Sequence, residues 1–155
     1  MLIRNIKEFL KKIKTRKILA LDMGKKKIGI ALSDPNHKIV NPLEVLKKDK
    51  NYLDKLLLII KDFNIGGILI GLPITNSDKN KMCQMIKDIG KNIDKFLLEN
   101  NNDLPIFFWD ESYTSFEAEE LTKKIFKNTK EQKKKLDKFA AKIILDDFFR
   151  ENIIL

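Results

Sequence analysis

Between residues 17 and 46 three apolar runs follow one another, joined by connections too short for a crossover. Residues 17–23 read as a buried strand, and Met23-Gly24-Lys25-Lys26 as a tight turn. Ile28-Gly29-Ile30-Ala31-Leu32 reads as a second strand, and the stretch from Ile39 to Leu46 as a third. Strands linked this closely pair as an antiparallel meander. Gly29 inside the second strand implies that another backbone comes close.

Downstream the period changes. Leu53, Leu56, Leu57, Ile60 and Phe63 mark an amphipathic helix, with Gly66-Gly67 closing the connection. Ile68-Leu69-Ile70 is a short buried strand leading into Gly71-Leu72-Pro73. Met82, Met85, Ile86, Ile89, Ile93, Phe96 and Leu97 mark a longer helix, whose methionines fit a core stripe. Residues 105–109 form another buried strand with Pro105 as its first residue. Thr114-Ser115-Phe116-Glu117 has capping-box spacing and opens a helix carrying Leu121 and Ile125; residues 135–149 form the last helix. Ahead of all this, Ile6, Phe9, Leu10 and Ile13 give residues 3–14 an amphipathic helical pattern. The order implies an α/β fold: a mixed five-stranded sheet, three strands antiparallel and two parallel, flanked by helices. Residues 1–155 are expected to form one domain, with 1–16 as a helical extension and 17–150 as the core.

The chemistry is narrowed by what the chain lacks. Cys83 is its only cysteine and His37 its only histidine. No internal disulfide or cysteine-rich zinc site can form, and a histidine-based nucleophile would rest on one residue in the polar turn Asp34-Pro35-Asn36-His37. We read His37 as a solvated turn residue. No apolar run approaches the roughly 20 residues of a membrane span, and residues 1–16 lack the continuous apolar stretch of a secretory signal. A cytoplasmic location without a membrane partner is expected.

Acids stand at three places where acids are costly. Asp22 ends the run Ile18-Leu19-Ala20-Leu21, Asp110-Glu111 ends Ile106-Phe107-Phe108-Trp109, and Asp137 precedes Ala140-Ala141 on the apolar side of the last helix. A carboxylate beside a core stays charged only if it is paired, hydrogen-bonded or bound to a cation. A shared divalent metal is the natural candidate, although each acid alone could be structural. Charge points the same way. The net charge is +9; residues 1–27 hold ten Lys/Arg against two acids, and residues 121–138 eight Lys against two. A basic field around acids suits a polyanionic substrate cut at a metal.

Four blocks then carry a resemblance. Leu21-Asp22-Met23-Gly24-Lys25-Lys26-Lys27-Ile28-Gly29-Ile30-Ala31-Leu32-Ser33-Asp34 resembles the opening motif of the YqgF (RuvX) family. Ile70-Gly71-Leu72-Pro73, Trp109-Asp110-Glu111-Ser112-Tyr113-Thr114-Ser115 and Leu136-Asp137-Lys138-Phe139-Ala140-Ala141 agree with it in order and spacing. Members are described as pre-16S ribosomal RNA nucleases and as Holliday-junction resolvases.

The resemblance implies a ribonuclease H-like domain and a metal-dependent endonuclease of two-metal type, acting in 5′-end maturation of pre-16S rRNA. Asp22, Glu111 and Asp137 would be the catalytic, metal-binding acids and Mg²⁺ or Mn²⁺ the cofactor, with Asp110 and Asp34 in support. Lys25, Lys26 and Lys27 in the first turn, and Lys133, Lys134 and Lys135 beside Asp137, would hold the substrate. Pre-rRNA is the expected partner, with ribosomal particles beside it and structured DNA as the alternative. Ser112 stands where the family commonly has arginine, so a non-catalytic nucleic-acid-binding protein is a further reading. Asp22-Met23-Gly24 also resembles the first phosphate loop of actin-like ATPases, which need two such subdomains.

Overall fold

The run 17–23 is apolar at almost every position because it is covered on both sides. In the computed structural model it forms the strand β2 (Lys17–Met23), at the centre of a six-stranded sheet. The structure describes residues 1–73, 77–111 and 129–152, without the side chains of 77–80, 111, 129, 132, 133 and 135. In chain order the elements are β1 (Leu2–Ile3), α1 (Ile6–Ile13), β2, β3 (Lys27–Ser33), β4 (Val40–Lys47), α2 (Tyr52–Asp62), β5 (Ile65–Pro73), α3 (Ser77–Glu99), β6 (Ile106–Glu111) and α4 (Thr129–Asn152). The sheet order is β1-β6-β5-β2-β3-β4. β2, β3 and β4 form the expected antiparallel meander; β5 joins β2 in parallel and β6 joins β5 in parallel.

Alternation along each strand sorts the core into two layers. Leu19, Leu21 and Met23 of β2 join Ile68 and Ile70 of β5, Leu56 and Ile60 of α2 and Ile86 and Ile93 of α3. Ile18 and Ala20 point the other way, with Leu69 and Phe107, onto Phe9 and Ile13 of α1 and Ala141, Ile144, Leu145 and Phe148 of α4. Asp22 is the next position in the second row. The helical spacing of Ala141, Ile144, Leu145 and Phe148 makes α4 the lid over that face. Phe148 stands edge-on to Phe9 and Trp109, with ring centroids 6.0 and 5.4 Å apart.

Four details differ from the sequence reading. The sheet has a sixth strand, because Leu2 and Ile3 pair in parallel with Ile106 and Phe107. Gly66 and Gly67 lie inside β5 rather than in a connection. A methyl group on Gly67 would stand 2.7 Å from Cγ1 of Ile13, so glycine admits α1 close to the strand. The break after α2 is made instead by Asn64, at φ 51°. Pro105 precedes β6; its carbonyl accepts the Ile68 N–H at 2.9 Å. The helix expected to carry Leu121 and Ile125 lies outside the described residues.

No helix among the described residues is long and apolar enough to cross a membrane.

Candidate metal and nucleic-acid site

Asp22 is the penultimate residue of β2 and pairs across the hairpin with Gly29. Gly29 is where the helix comes down. A methyl group there would lie 2.6 Å from the Asp137 carbonyl oxygen, 3.6 Å from Cβ of Asp22 and 3.8 Å from Cβ of Ala141. No real side chain tolerates the first of these contacts, so glycine is what lets α4 rest on β3 with Asp137 beside Asp22. The close approach expected from the sequence is thus the helix backbone itself.

Burial beneath α4 and repulsion from the Asp137 carboxylate push the pKa of Asp22 from the ordinary 3.8 up to about 6. Asp137 is more open, and the Lys27 ammonium stands 3.8 Å from its Oδ2. Two carboxylates close enough to repel, one of them largely desolvated, make a charge arrangement that a divalent cation would relieve.

Glu111 ends β6, two residues beyond Trp109, with its backbone opposite Pro73 of β5. Phe107 and Trp109 of the same strand lie on the sheet face of Asp22. The Glu111 side chain lies outside the described residues. Among the described residues no group of three or more acidic, histidine or cysteine side chains is gathered to hold a metal.

The other expected site residues separate. Asp110 is exposed and lies opposite Leu72 of β5, on the face away from Asp22. Asp34 lies at the far end of the meander, just after Ser33. Its Oδ1 accepts the N–H groups of Lys38 and Ile39, both at 2.7 Å, and its Oδ2 that of Asn36 at 3.1 Å. Partial burial raises its pKa, but donation from Ile39, Lys38 and Asn36 outweighs this and holds the carboxyl below its ordinary value. His37 is not the freely solvated residue expected. At φ 58° it donates from Nε2 to the Arg16 carbonyl at 2.8 Å and stacks on Phe149 at 5.6 Å.

Lys25 and Lys26 are exposed in the β2–β3 turn, next to Lys27. That turn is braced by a lysine the sequence reading missed. Lys48 donates its backbone N–H to the Lys26 carbonyl at 2.8 Å and its Nζ to the Gly24 carbonyl at 3.0 Å. Lys134 is exposed on the first turns of α4, on the same helical face as Asp137 and Lys138. The Lys133 and Lys135 side chains lie outside the described residues. Lys47 and Lys138 also border the site, in a cavity of about 460 Å³ that includes Lys27, Lys134 and Asp137. Lys47 could have been found from the expected β3–β4 pairing, and Lys138 from helical spacing.

A family model described as RuvX, Holliday junction resolvase, matches residues 16–151. The chain belongs to the RuvX family. Its curated relatives include proteins named "Putative pre-16S rRNA nuclease". That of Pelagibacter ubique is 33% identical over 132 residues, covering 83% of this chain and 84% of the relative. That of Campylobacter lari is 34% identical over 135 residues, covering 86% and 97%. Among solved structures, T. thermophilus RuvC in complex with a Holliday junction substrate superimposes with TM-score 0.54 at 12% identity, covering 88% of this chain and 95% of that one. The fowlpox virus Holliday junction resolvase gives TM-score 0.51 at 17% identity, covering 89% and 99%. At such identities the likeness concerns the fold, which is that of the ribonuclease H-like resolvases. This RuvX-family chain thus has the mixed sheet expected of it, extended at one edge by β1.

Proposed function

We propose that the chain is a metal-dependent nuclease that hydrolyses phosphodiester bonds in pre-16S rRNA during maturation of its 5′ end. The observation that carries this reading is the placement of Asp137, on α4, beside Asp22 at the end of β2, with the Asp22 carboxyl raised to about 6. Folding brings two acids together only at an energetic cost, which a bound cation offsets. Family membership and the names of the curated relatives support the same reading.

The donor set is entirely oxygen, which suits Mg²⁺ or Mn²⁺ better than softer metals. Asp22, Glu111 and Asp137 would hold two such cations, which would supply activation of water and stabilisation of the leaving oxygen of a phosphodiester. The chain's own groups do the rest. α4 covers Asp22 and limits water around it. Lys27, held near Asp137, supplies positive charge where a phosphate would lie. Lys25, Lys26 and Lys134 extend that charge along both rims, with Lys133 and Lys135 next to Lys134 in sequence. Cleavage of DNA junctions is the second reading, favoured by the family model's description.

The test is incubation of the purified protein with Mn²⁺ and labelled pre-16S rRNA leader, a four-way DNA junction or linear controls. We expect a discrete RNA product from wild type and none from Asp22→Asn. Junction cleavage without RNA cleavage would select the second reading. Undiminished RNA cleavage by Asp22→Asn would remove the acids from the mechanism.

A further inference from the structure

Beside the carboxylates, between α4 and the outer strand of the sheet, lies the cavity of about 460 Å³ noted above. Val45 of β4 forms its apolar floor, with Leu43, at the β4 bulge and packed on the layer of α2 and α3, at its edge; Lys27, Lys47, Lys134 and Lys138 stand around it, and Asp137 forms one wall. Both residues are half-buried on β4, the last strand of the sheet.

The cavity's place relative to the reaction follows from the register. Asp22 pairs with Gly29, and Gly29 pairs with Val45. Neighbouring strands are about 4.8 Å apart, so the Val45 backbone stands roughly 10 Å from that of Asp22. A strand with its phosphate at the acids therefore has its adjoining nucleotide at the cavity mouth.

We propose that this cavity receives one unpaired nucleotide of the substrate, next to the phosphate that is cut. The inference rests on the nuclease reading and adds to it a requirement for a locally single-stranded substrate. Four features favour this occupant. The volume lies within the roughly 300–1,000 Å³ range of small-ligand pockets. The four lysines match the phosphates on either side of such a nucleotide. The aliphatic floor offers a dry surface to a base face, which a base stacked within a duplex cannot use. The cavity also adjoins the acids directly, since Asp137 itself lines it.

The test uses the full chain in EDTA, so that no cleavage is needed. A labelled single-stranded oligoribonucleotide and a duplex of the same sequence are titrated against wild type, Val45→Glu and Val45→Ile. We expect Val45→Glu to weaken single-strand binding about tenfold and duplex binding no more than about twofold, with Val45→Ile close to wild type. An equal loss for both nucleic acids, no loss for either, or no binding of the single strand by wild type would overturn the proposal.

A second measurement covers the case in which Val45→Glu fails to fold. Single strands carrying 4-thiouridine are photocrosslinked to wild type and the protein is digested with trypsin. Crosslinks are expected in the peptide spanning residues 39–47; crosslinks confined to other peptides would refute the assignment. Failure of the Mn²⁺ cleavage assay would leave both results standing, so the two ideas can fail separately.

Discussion

Gly29 and the Asp137 carbonyl are in direct contact across the β3–α4 interface. The space for a methyl group at position 29 ends 2.6 Å from that oxygen. The neighbour is helix backbone and cannot rotate away. Gly29→Ala should therefore lift α4 from β3 and draw Asp137 away from Asp22. We expect a stability loss of about 1–3 kcal/mol, typical of overpacking, and a larger fractional loss of Mn²⁺-dependent cleavage. Thermal melts and cleavage assays on the same preparation check this. A variant with wild-type melting temperature and activity would show that the helix can yield.

Asp22 gives a signed pH dependence. Its carboxyl titrates near 6 in the folded chain against 3.8 ordinarily. A raised acid costs nothing while protonated in both states, below pH 3.8. Its cost grows as pH rises through that window and is complete above about 6, where it amounts to on the order of 3 kcal/mol without metal. Asp22→Asn should therefore raise the melting temperature of the metal-free protein at pH 7.5 by several degrees, and much less at pH 4. Mn²⁺ should raise the melting temperature of wild type and have little effect on the variant. Equal variant effects at both pH values would contradict the burial and repulsion assigned to Asp22.

Lys27 separates stability from binding. Its ion pair with Asp137 is 3.8 Å long and more than half exposed on the lysine side, so it contributes little to folding. Lys27→Ala should melt within a degree or two of wild type. Its RNA affinity should fall, and the slope of log K against log salt should shrink by about one phosphate contact. Titrations at several salt concentrations test this; an unchanged slope would remove Lys27 from the substrate path.

The meander, Asp22 at a strand end and Asp137 on the last helix were legible in the sequence because they rest on local patterns. Apolar runs with short connections can pair in few ways, and an acid closing such a run is conspicuous. β1 was not legible, since two residues carry no period and Leu2 and Ile3 become a strand only through β6. Gly66-Gly67 was misread because glycine marks a turn and a close helix contact equally well. Asn64 was the true break and carried a weaker signal. Asp34 follows an apolar run, as Asp22 does, yet its carboxylate is occupied by three backbone donors. Sequence position does not show which end of a hairpin faces the site. Lys47 and Lys138 were overlooked because their relevance comes from a cavity between two elements far apart in the chain.

The N-terminal segment supplies a last prediction. Sequence spacing presents residues 3–14 as a helix lying on the fold, but α1 is part of the core. Phe9 and Ile13 are fully buried. Phe9 packs on Phe107 at 5.5 Å and on Phe148 at 6.0 Å, and Ile13 fills the space left by Gly67. Phe148 also meets Trp109 of β6, the strand that ends at Glu111. Phe9→Ala would open a cavity shared by α1, β6 and α4, at a cost of about 3–5 kcal/mol. Lys7→Ala, on the outward face, should change stability by less than about 0.5 kcal/mol. Urea unfolding of both variants distinguishes a core helix from an appended one. A Phe9→Ala midpoint close to wild type would mean that α1 contributes little to the packing of this sheet face.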